Sequence, residues 1–162
     1  MFPIIMLCLT ILIILAHLAL TKAKRNTKNI IEVILLDYIV IAVGIGQTFA
    51  GMEHIFNGNE IARGIGWAPG SPFQYEVGVA NIAIGLTALL GAKFRGLYWL
   101  AIALMGGIFG IGAGIGHIID IVLYGNTAIY NAGPMLYLND GLLPIALIIL
   151  VIVYLRKAKK NL

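Results

Sequence analysis

Long apolar runs separated by short polar stretches dominate this chain. Five of these runs match or approach the roughly 20 residues that a helix needs to cross the hydrocarbon core of a bilayer. The runs comprise residues 2–20, 31–55, 73–92, 97–123 and 141–155. Because backbone polar groups cannot stay unpaired in hydrocarbon, runs of this length favour helices. The pattern therefore predicts an all-α fold, an integral membrane bundle of five transmembrane helices.

Composition also indicates a membrane protein. Of the 162 residues, 60% are hydrophobic and 11% are charged, which is too little polar surface for a soluble domain. No internal repeat or linker divides the chain, so we expect residues 1–162 to form a single multi-pass domain in the cell membrane. The net charge of +4 does not indicate nucleic-acid binding, because the basic residues flank the apolar runs and suit anionic lipid headgroups. The expected partner is the lipid bilayer.

The basic residues predict how the helices are oriented. Ten of the eleven Lys and Arg residues lie in three stretches, 22–28, 93–95 and 156–160, and only Arg63 lies elsewhere. Basic loops of this kind are retained on the cytoplasmic side of a membrane. Five alternating helices place all three stretches on that side. We therefore expect the N-terminus outside the cell and the C-terminus in the cytoplasm.

Polar residues near the outer ends of four predicted helices are the best functional clue. At about 1.5 Å per residue, they reach a similar depth. These residues are Glu53, His54, Glu76, His117, Asp120, Asn139 and Asp140. Either Asn139 or Asp140 also suits the N-cap of the fifth helix. Ionisable groups inside a membrane are costly and usually functional, so the layer predicts a site near the external side.

Helical phase selects four residues of this layer. Stripes of small residues, spaced three or four apart, lead to polar side chains in three helices. The stripes run along Gly106, Gly110 and Ala113 to His117 and Asp120, along Val43, Gln47, Ala50 and Gly51 to His54, and from Glu76 along Ala80, Ala83 and Thr87. Membrane helices pack through small residues, so these faces should point inward. The four polar residues at the ends of the stripes are therefore predicted to converge.

The converging side chains suit two kinds of cofactor. His54 and His117 can serve as axial ligands of a b-type haem. Together with Glu76 and Asp120 they form a nitrogen and oxygen ligand set for a divalent metal. A histidine held by a single interhelical hydrogen bond would look the same in the sequence. The chain shows no nucleophile beside a base and no cofactor fingerprint, so we do not expect an enzyme.

Two other functions could use the same features. A small proton-coupled transporter would use the histidines and carboxylates as titrating sites, although neither inverted repeats nor an interrupted helix is evident. A structural or assembly subunit would dock a membrane-complex partner, or a second copy in a homo-oligomer, through glycine-rich helix faces. We place cofactor or ligand binding ahead of both.

The loop before the third predicted helix has the pattern of a helix start. Ser71 as N-cap, Pro72 at the first helical position and Gln74 at the third form a capping box. Trp67 and the turn residues around it can anchor the loop at the headgroup layer. This structural interpretation explains most of the loop, but it does not require Glu76.

The same loop carries a resemblance to a known family. Residues 65–76 read Ile-Gly-Trp-x-x-Gly-Ser-Pro-Phe-Gln-x-Glu, and Val77, Ala80, Asn81 and Gly85 follow. This string resembles the signature of an uncharacterised family of small prokaryotic integral membrane proteins, a domain of unknown function. The resemblance extends over the central three helices. It implies a multi-helix membrane protein and no catalytic assignment.

Overall fold

The structure, a computed structural model, describes residues 2–21 and 26–159, and every regular element within these ranges is helical. The helices are α1 Phe2–Leu20, α2 Thr27–Asp37, α3 Gly46–Phe56, α4 Gly58–Ile65, α5 Phe73–Leu89, α6 Leu97–Tyr124, α7 Ile129–Ala132, α8 Pro134–Tyr137 and α9 Leu143–Lys159. π-Helical segments, Tyr38–Ile45 and Leu138–Leu142, join α2 to α3 and α8 to α9, and a 3-10 turn, Leu90–Ala92, follows α5. The prediction of an all-α fold is confirmed.

Four helical stretches are long and apolar enough to cross a membrane. They are Thr27–Phe56, Phe73–Ala92, Leu97–Tyr124 and Leu138–Lys159, and they match the second to fifth predicted runs. The first run also forms a helix, but its apolar part, Ile4–Leu20, is shorter. The described residues thus supply four clear spans where the sequence predicted five.

The predicted orientation depends on basic residues that the structure describes only in part. Lys22, Lys24, Arg25 and Lys160 lie outside the described residues. The orientation therefore stays a prediction. We name the two ends of the bundle by their residues. The basic end carries Lys93, Arg95 and the end of α9, and the capped end, opposite to it, carries α4 and residues 125–137.

The last long helix begins earlier than predicted. Helical backbone starts at Pro134, whose fixed φ and missing N–H suit a first helical position. Asn139 and Asp140 therefore lie inside the helix, in its π-helical segment, and neither is its N-cap. The Asn139 side chain donates to Asp140 Oδ1 at 2.9 Å instead of capping the backbone. The boundary predicted at Gly141 was wrong for this reason.

Glycines allow α5 to pack closely on the α2–α3 helix. A Cβ atom added to Gly51 would lie 2.5 Å from the carbonyl oxygen of Gly78, and one added to Gly85 would lie 2.8 Å from that of Gly44. Real Cβ atoms do not approach oxygens this closely, so only glycine permits these two crossings. Small residues are what membrane helices use to bring backbones together. The two crossings hold the middle of α5, from Gly78 to Gly85, against α3 and the π-helical segment before it.

α6 packs against the last long helix through Gly107, Gly110 and Gly114, of which only Gly110 belongs to the predicted stripe. A Cβ on Gly110 would lie 2.9 Å from Pro144 Cγ, and a Cβ on Gly107 would lie 2.6 Å from Ile148 Cδ1. Gly114 faces Asp140 in the same way, at 3.1 Å from its Cβ. The prediction that this side of α6 contacts another helix is confirmed. These contacts determine the direction in which the His117 side chain points, because His117 lies one turn beyond Gly114.

The basic end has an apolar core with one ion pair across it. Trp99 is fully buried, its ring centroid lies 5.2 Å from that of Tyr154, and its Nε1 donates to the Gly91 carbonyl at 2.9 Å. At the rim of this core the Arg95 guanidinium pairs with Glu32 of α2. Burying a large aromatic side chain is strongly favourable, so this core anchors the helices at their basic ends.

Candidate functional site

Five side chains at the capped end form one connected polar cluster, which we call the cap network. Its members are Trp67, His117, Asp120, Asn126 and Asn131. They come from the loop after α4, from the last turns of α6 and from the segment after α6. The network therefore joins the loop after α4 to the end of α6 and the segment that follows it.

Two glycines turn the chain so that the network can form. Gly66 ends α4 with φ at 87°, and Gly125 ends α6 with φ at 65°. Both lie in the left-handed region, which glycine adopts without a Cβ clash and which commonly ends helices. The turn at Gly66 directs Trp67 toward α6. The turn at Gly125 places Asn126 beside α4, where its Nδ2 donates to the Ile65 carbonyl at 2.8 Å.

Asp120 is the acceptor at the centre of the network. Its Oδ2 accepts the indole N–H of Trp67 at 3.0 Å and the amide of Asn126 at 2.5 Å. Hydrogen bonds to a charged acceptor are stronger than neutral ones, so this carboxylate holds the α4 loop against α6. The prediction that Trp67 anchors the loop at the headgroup layer stays a prediction, and the structure adds that the indole N–H of Trp67 is bonded to Asp120.

The His117 ring is oriented by a fully buried amide. Its Nδ1 lies 2.7 Å from Oδ1 of Asn131, a residue that is 0% exposed. Asn131 Nδ2 donates to the Asn126 carbonyl at 2.7 Å, which fixes the amide with its oxygen toward the histidine. An amide oxygen only accepts, so Nδ1 of His117 carries the hydrogen. In the neutral ring, Nε2 then keeps its lone pair. Trp67 stacks on the same ring at 5.9 Å between centroids.

His54 on α3 is held in a similar way by α5. Its Nδ1 lies 2.6 Å from Oε1 of Gln74, which is 6% exposed. The predicted capping box does not form, because α5 begins at Phe73 with Pro72 as its N-cap and has no side-chain cap. Ser71 Oγ still accepts the Phe73 amide at 3.2 Å, and Gln74 reaches the histidine instead of the helix start.

Glu76 does not face the interior, contrary to the prediction. It is exposed, as are Tyr75 and Ala83 on the same side of α5. The buried face of α5 is a different stripe, which runs along Gln74, Gly78, Asn81, Gly85 and Ala88. Gly78 and Gly85 let the α3 backbone approach, whereas the alanines beside Glu76 would hold it away. The packed face was therefore assigned to the wrong side of this helix.

The four predicted ligands do not form a metal cluster of the expected kind. Among residues 2–21 and 26–159, no group of three or more His, Cys, Asp or Glu side chains is placed to hold a metal ion. His117 and Asp120 share one turn of α6 within the cap network. His54 lies on α3 beside Gln74, and Glu76 lies on the outer side of α5. Of the predicted ligands, the imidazole rings of His54 and His117 are left as candidates, and each ring is oriented by a hydrogen bond.

A third histidine pair lies toward the basic end. His17 of α1 donates from Nδ1 to both carboxylate oxygens of Asp37, at 3.0 and 2.9 Å. Asp37 is 8% exposed and immediately precedes the π-helical segment Tyr38–Ile45. This direct pair fastens α1 to the α2–α3 helix.

Three of these polar partners were missed by sequence reasoning: Gln74, Asn126 and Asn131. Gln74 had a sufficient explanation as part of a capping box. Asn126 and Asn131 lie in a polar stretch that reads as an ordinary external loop. The available signal was the pair of asparagines just after α6, the helix that carries a histidine. Buried amides can serve as the partners that orient histidine rings.

The sequence model of one protein family, described as a family of unknown function (DUF6790), matches residues 1–160. The chain therefore belongs to this family. No curated protein and no solved structure matches the chain. The predicted membership of a family of unknown function is confirmed, and the string from Ile65 to Glu76 stays a predicted signature of it.

Proposed function

We propose that this membrane protein binds a transition-metal centre, as a free ion or within a b-type haem, through the imidazole Nε2 atoms of His117 and His54. One observation carries the proposal. The Asn131 amide, fully buried and itself fixed by a second hydrogen bond, holds the hydrogen of His117 on Nδ1. Histidines that bind metals nearly always donate their other ring N–H to an oxygen in this manner.

The same arrangement favours two imidazole ligands over the four-residue set. Asp120 Oδ2 already accepts two hydrogen bonds, and Glu76 is exposed on the outer side of α5. A haem iron needs only one or two axial protein ligands. A free ion held by His54 and His117 would complete its coordination with water or a small ligand. A haem iron and a free metal ion would bind in the same way, because each accepts an electron pair from an imidazole nitrogen.

The test is an absorption spectrum and an elemental analysis of the protein purified from cells supplied with iron, zinc, copper and a haem precursor. A Soret band indicates haem, and stoichiometric metal without that band indicates a free ion. His117→Ala should abolish the signal, and Asn131→Leu should weaken the affinity by about 10- to 100-fold. His17→Ala is the matched control, because that imidazole lies in the other pair and should leave the signal unchanged. Neither a Soret band nor stoichiometric metal in the unaltered protein would overturn the proposal.

A second candidate function, a structural or assembly subunit, is favoured by a different face of α6. Gly112 and Gly116 are both exposed, and no atom lies within 4 Å of a Cβ built on either one. Two glycines four residues apart on a lipid-facing helix let a second helix approach closely. This face suits a second copy of the chain. Crosslinking in bilayers should then capture a dimer that Gly116→Leu abolishes, whereas Gly70→Ala in the exposed loop should not.

We also propose the finer topology: five transmembrane helices in the cell membrane, with α1 included, the N-terminus outside and the C-terminus in the cytoplasm. The support is the distribution of Lys and Arg over the chain. Cys8 is exposed, so labelling is best done in a Cys8→Ser background. Single cysteines at Asn59 and Lys159 should react from opposite sides of the membrane. Reaction of both from the same side would contradict the topology.

A further inference from the structure

Asn81 carries a buried polar atom that the protein itself does not satisfy. Its side chain is 4% exposed, and among the described residues no hydrogen-bond partner reaches its Oδ1. Asn81 lies eight residues into the span Phe73–Ala92, about 12 Å from its start. This oxygen is therefore near the middle of the apolar layer, where lipid offers no donor.

The two glycine crossings enclose this position from both ends. Asn81 follows Gly78 by three residues and precedes Gly85 by four, so all three lie on the same face of α5. At Gly78 the backbones of α5 and α3 are so close that an added Cβ would lie 2.8 Å from the Gly51 carbonyl oxygen. Neither a headgroup nor a lipid chain can pass such a contact. The donor that satisfies Asn81 must therefore be small and internal.

Thr48 supplies the second polar group at this level. Its hydroxyl lies against Gly85, one turn from Asn81 on the packed face of α5. The hydroxyl hydrogen is already given to the Gly44 carbonyl at 2.7 Å, so Oγ1 can only accept further. Asn81 Oδ1 and Thr48 Oγ1 are thus two acceptors about one helical turn apart at the α3–α5 contact, and neither accepts a hydrogen bond that the structure records from the described residues.

We propose that Asn81 Oδ1 and Thr48 Oγ1 bind one internal water molecule between α3 and α5. Water is the smallest neutral group that can donate two hydrogen bonds, one to each oxygen. Buried waters in proteins serve this role, because they satisfy polar groups that the chain leaves unpaired. A cation is a poorer occupant, since none of the described residues that contact the glycines of these crossings is acidic, and charge is costly at this depth. The site is independent of the metal centre proposed above.

Water-edited solid-state NMR of the asparagine-labelled protein in lipid bilayers tests the proposal directly. Magnetisation should pass from water to the Asn81 side chain. Asn131 is the matched control, because it is equally buried but both ends of its amide are bonded to protein atoms, so it should receive several-fold less. Thr48→Val should reduce the transfer to Asn81. Absence of transfer to Asn81 in the unaltered protein overturns the proposal.

Thermal unfolding supplies a second readout. Asn81→Leu displaces the water and leaves Thr48 without its donor, so the midpoint should fall by about 2 to 4 °C. Ala83→Leu, on the exposed side of the same helix, should leave it nearly unchanged. A rise of the midpoint in Asn81→Leu would show that the oxygen had no partner, which contradicts a bound water. A midpoint that increases with sodium or ammonium concentration would identify an ion instead.

Discussion

Two histidines near opposite ends of the bundle are bound through the same ring atom but to different partners. His17 donates from Nδ1 to both oxygens of the Asp37 carboxylate, which is 8% exposed. His117 donates from Nδ1 to the neutral amide of Asn131, which is 0% exposed. The first pair joins two helices directly. The second belongs to a network in which the amide is itself held in place.

The two contacts differ in what the loss of the histidine would leave behind. A buried carboxylate without its hydrogen-bond donor is costly, so the first contact should contribute strongly to stability. A neutral amide without its donor costs less, so the second contact should contribute less to stability. We therefore expect that removing His17 lowers the stability most and that removing His117 abolishes binding of the metal centre.

The largest expected effect is at the basic end. His17→Ala leaves the Asp37 carboxylate buried without its donor, and the free energy of unfolding should fall by about 3 kcal/mol. Unfolding in detergent micelles measures this change. Adding Asp37→Leu to His17→Ala should restore part of the loss, because the unpaired charge is then gone. A loss below about 0.5 kcal/mol would show that the pair of His17 and Asp37 contributes no more than a surface ion pair. That result would contradict its structural role.

The next effect tests whether α6 presents His117 toward the bundle. Gly110→Leu forces a side chain against Pro144, so stability should fall by about 1 to 3 kcal/mol. Gly112→Leu, two residues away on the open face, should change stability by no more than about 0.5 kcal/mol. Equal effects of the two substitutions would mean that the assignment of faces on α6 is wrong.

A smaller effect is expected within the cap network. Trp67→Phe keeps an aromatic ring stacked on His117 but removes the hydrogen bond from Nε1 to Asp120. The free energy of unfolding should fall by about 1 kcal/mol. Asp120→Ala removes the same contact from the acceptor side. If the free energy of unfolding changes by nearly zero in both variants, the carboxylate does not hold the α4 loop.

The smallest effect is expected at Glu76. The side chain is exposed on the outer side of α5, so Glu76→Gln should leave both stability and metal content unchanged within error. Thermal unfolding and elemental analysis measure the two quantities. A marked loss of metal in this variant would restore Glu76 to the ligand set and undo the two-imidazole interpretation.

Hydrophobic patterning predicted the helices well because their length is set by the membrane. The packing predicted for Gly110 on α6 was also correct, since a Cβ on this residue would lie 2.9 Å from Pro144 of the last long helix, although the neighbouring contacts are made by Gly107 and Gly114. On α5 the sequence offered two stripes of small residues, one with glycines and one with alanines. The prediction followed the charge of Glu76 and chose the alanine stripe. The close backbone contacts with α3 require glycine on the facing side of α5. The sequence alone does not show which side of α5 faces α3.

The candidate site was predicted only in part. His54 and His117 were identified from depth and phase, and both histidines are indeed held by interhelical or loop contacts. Their partners Gln74 and Asn131 were not, because each partner comes from another part of the chain, brought close only by tertiary folding. The turn at Gly66 illustrates the difficulty, since a single left-handed glycine brings Trp67 to Asp120 of α6.

The most direct test of the central claim is the 15N NMR spectrum of the protein in bilayers with its histidines labelled on both ring nitrogens. We predict that neutral His117 carries its hydrogen on Nδ1 and leaves Nε2 unprotonated. We also predict that the Nε2 signal shifts or disappears when the metal centre is added, while the His17 signals stay in place. A hydrogen on Nε2 of His117, or an Nε2 signal that the metal does not alter, would contradict the account.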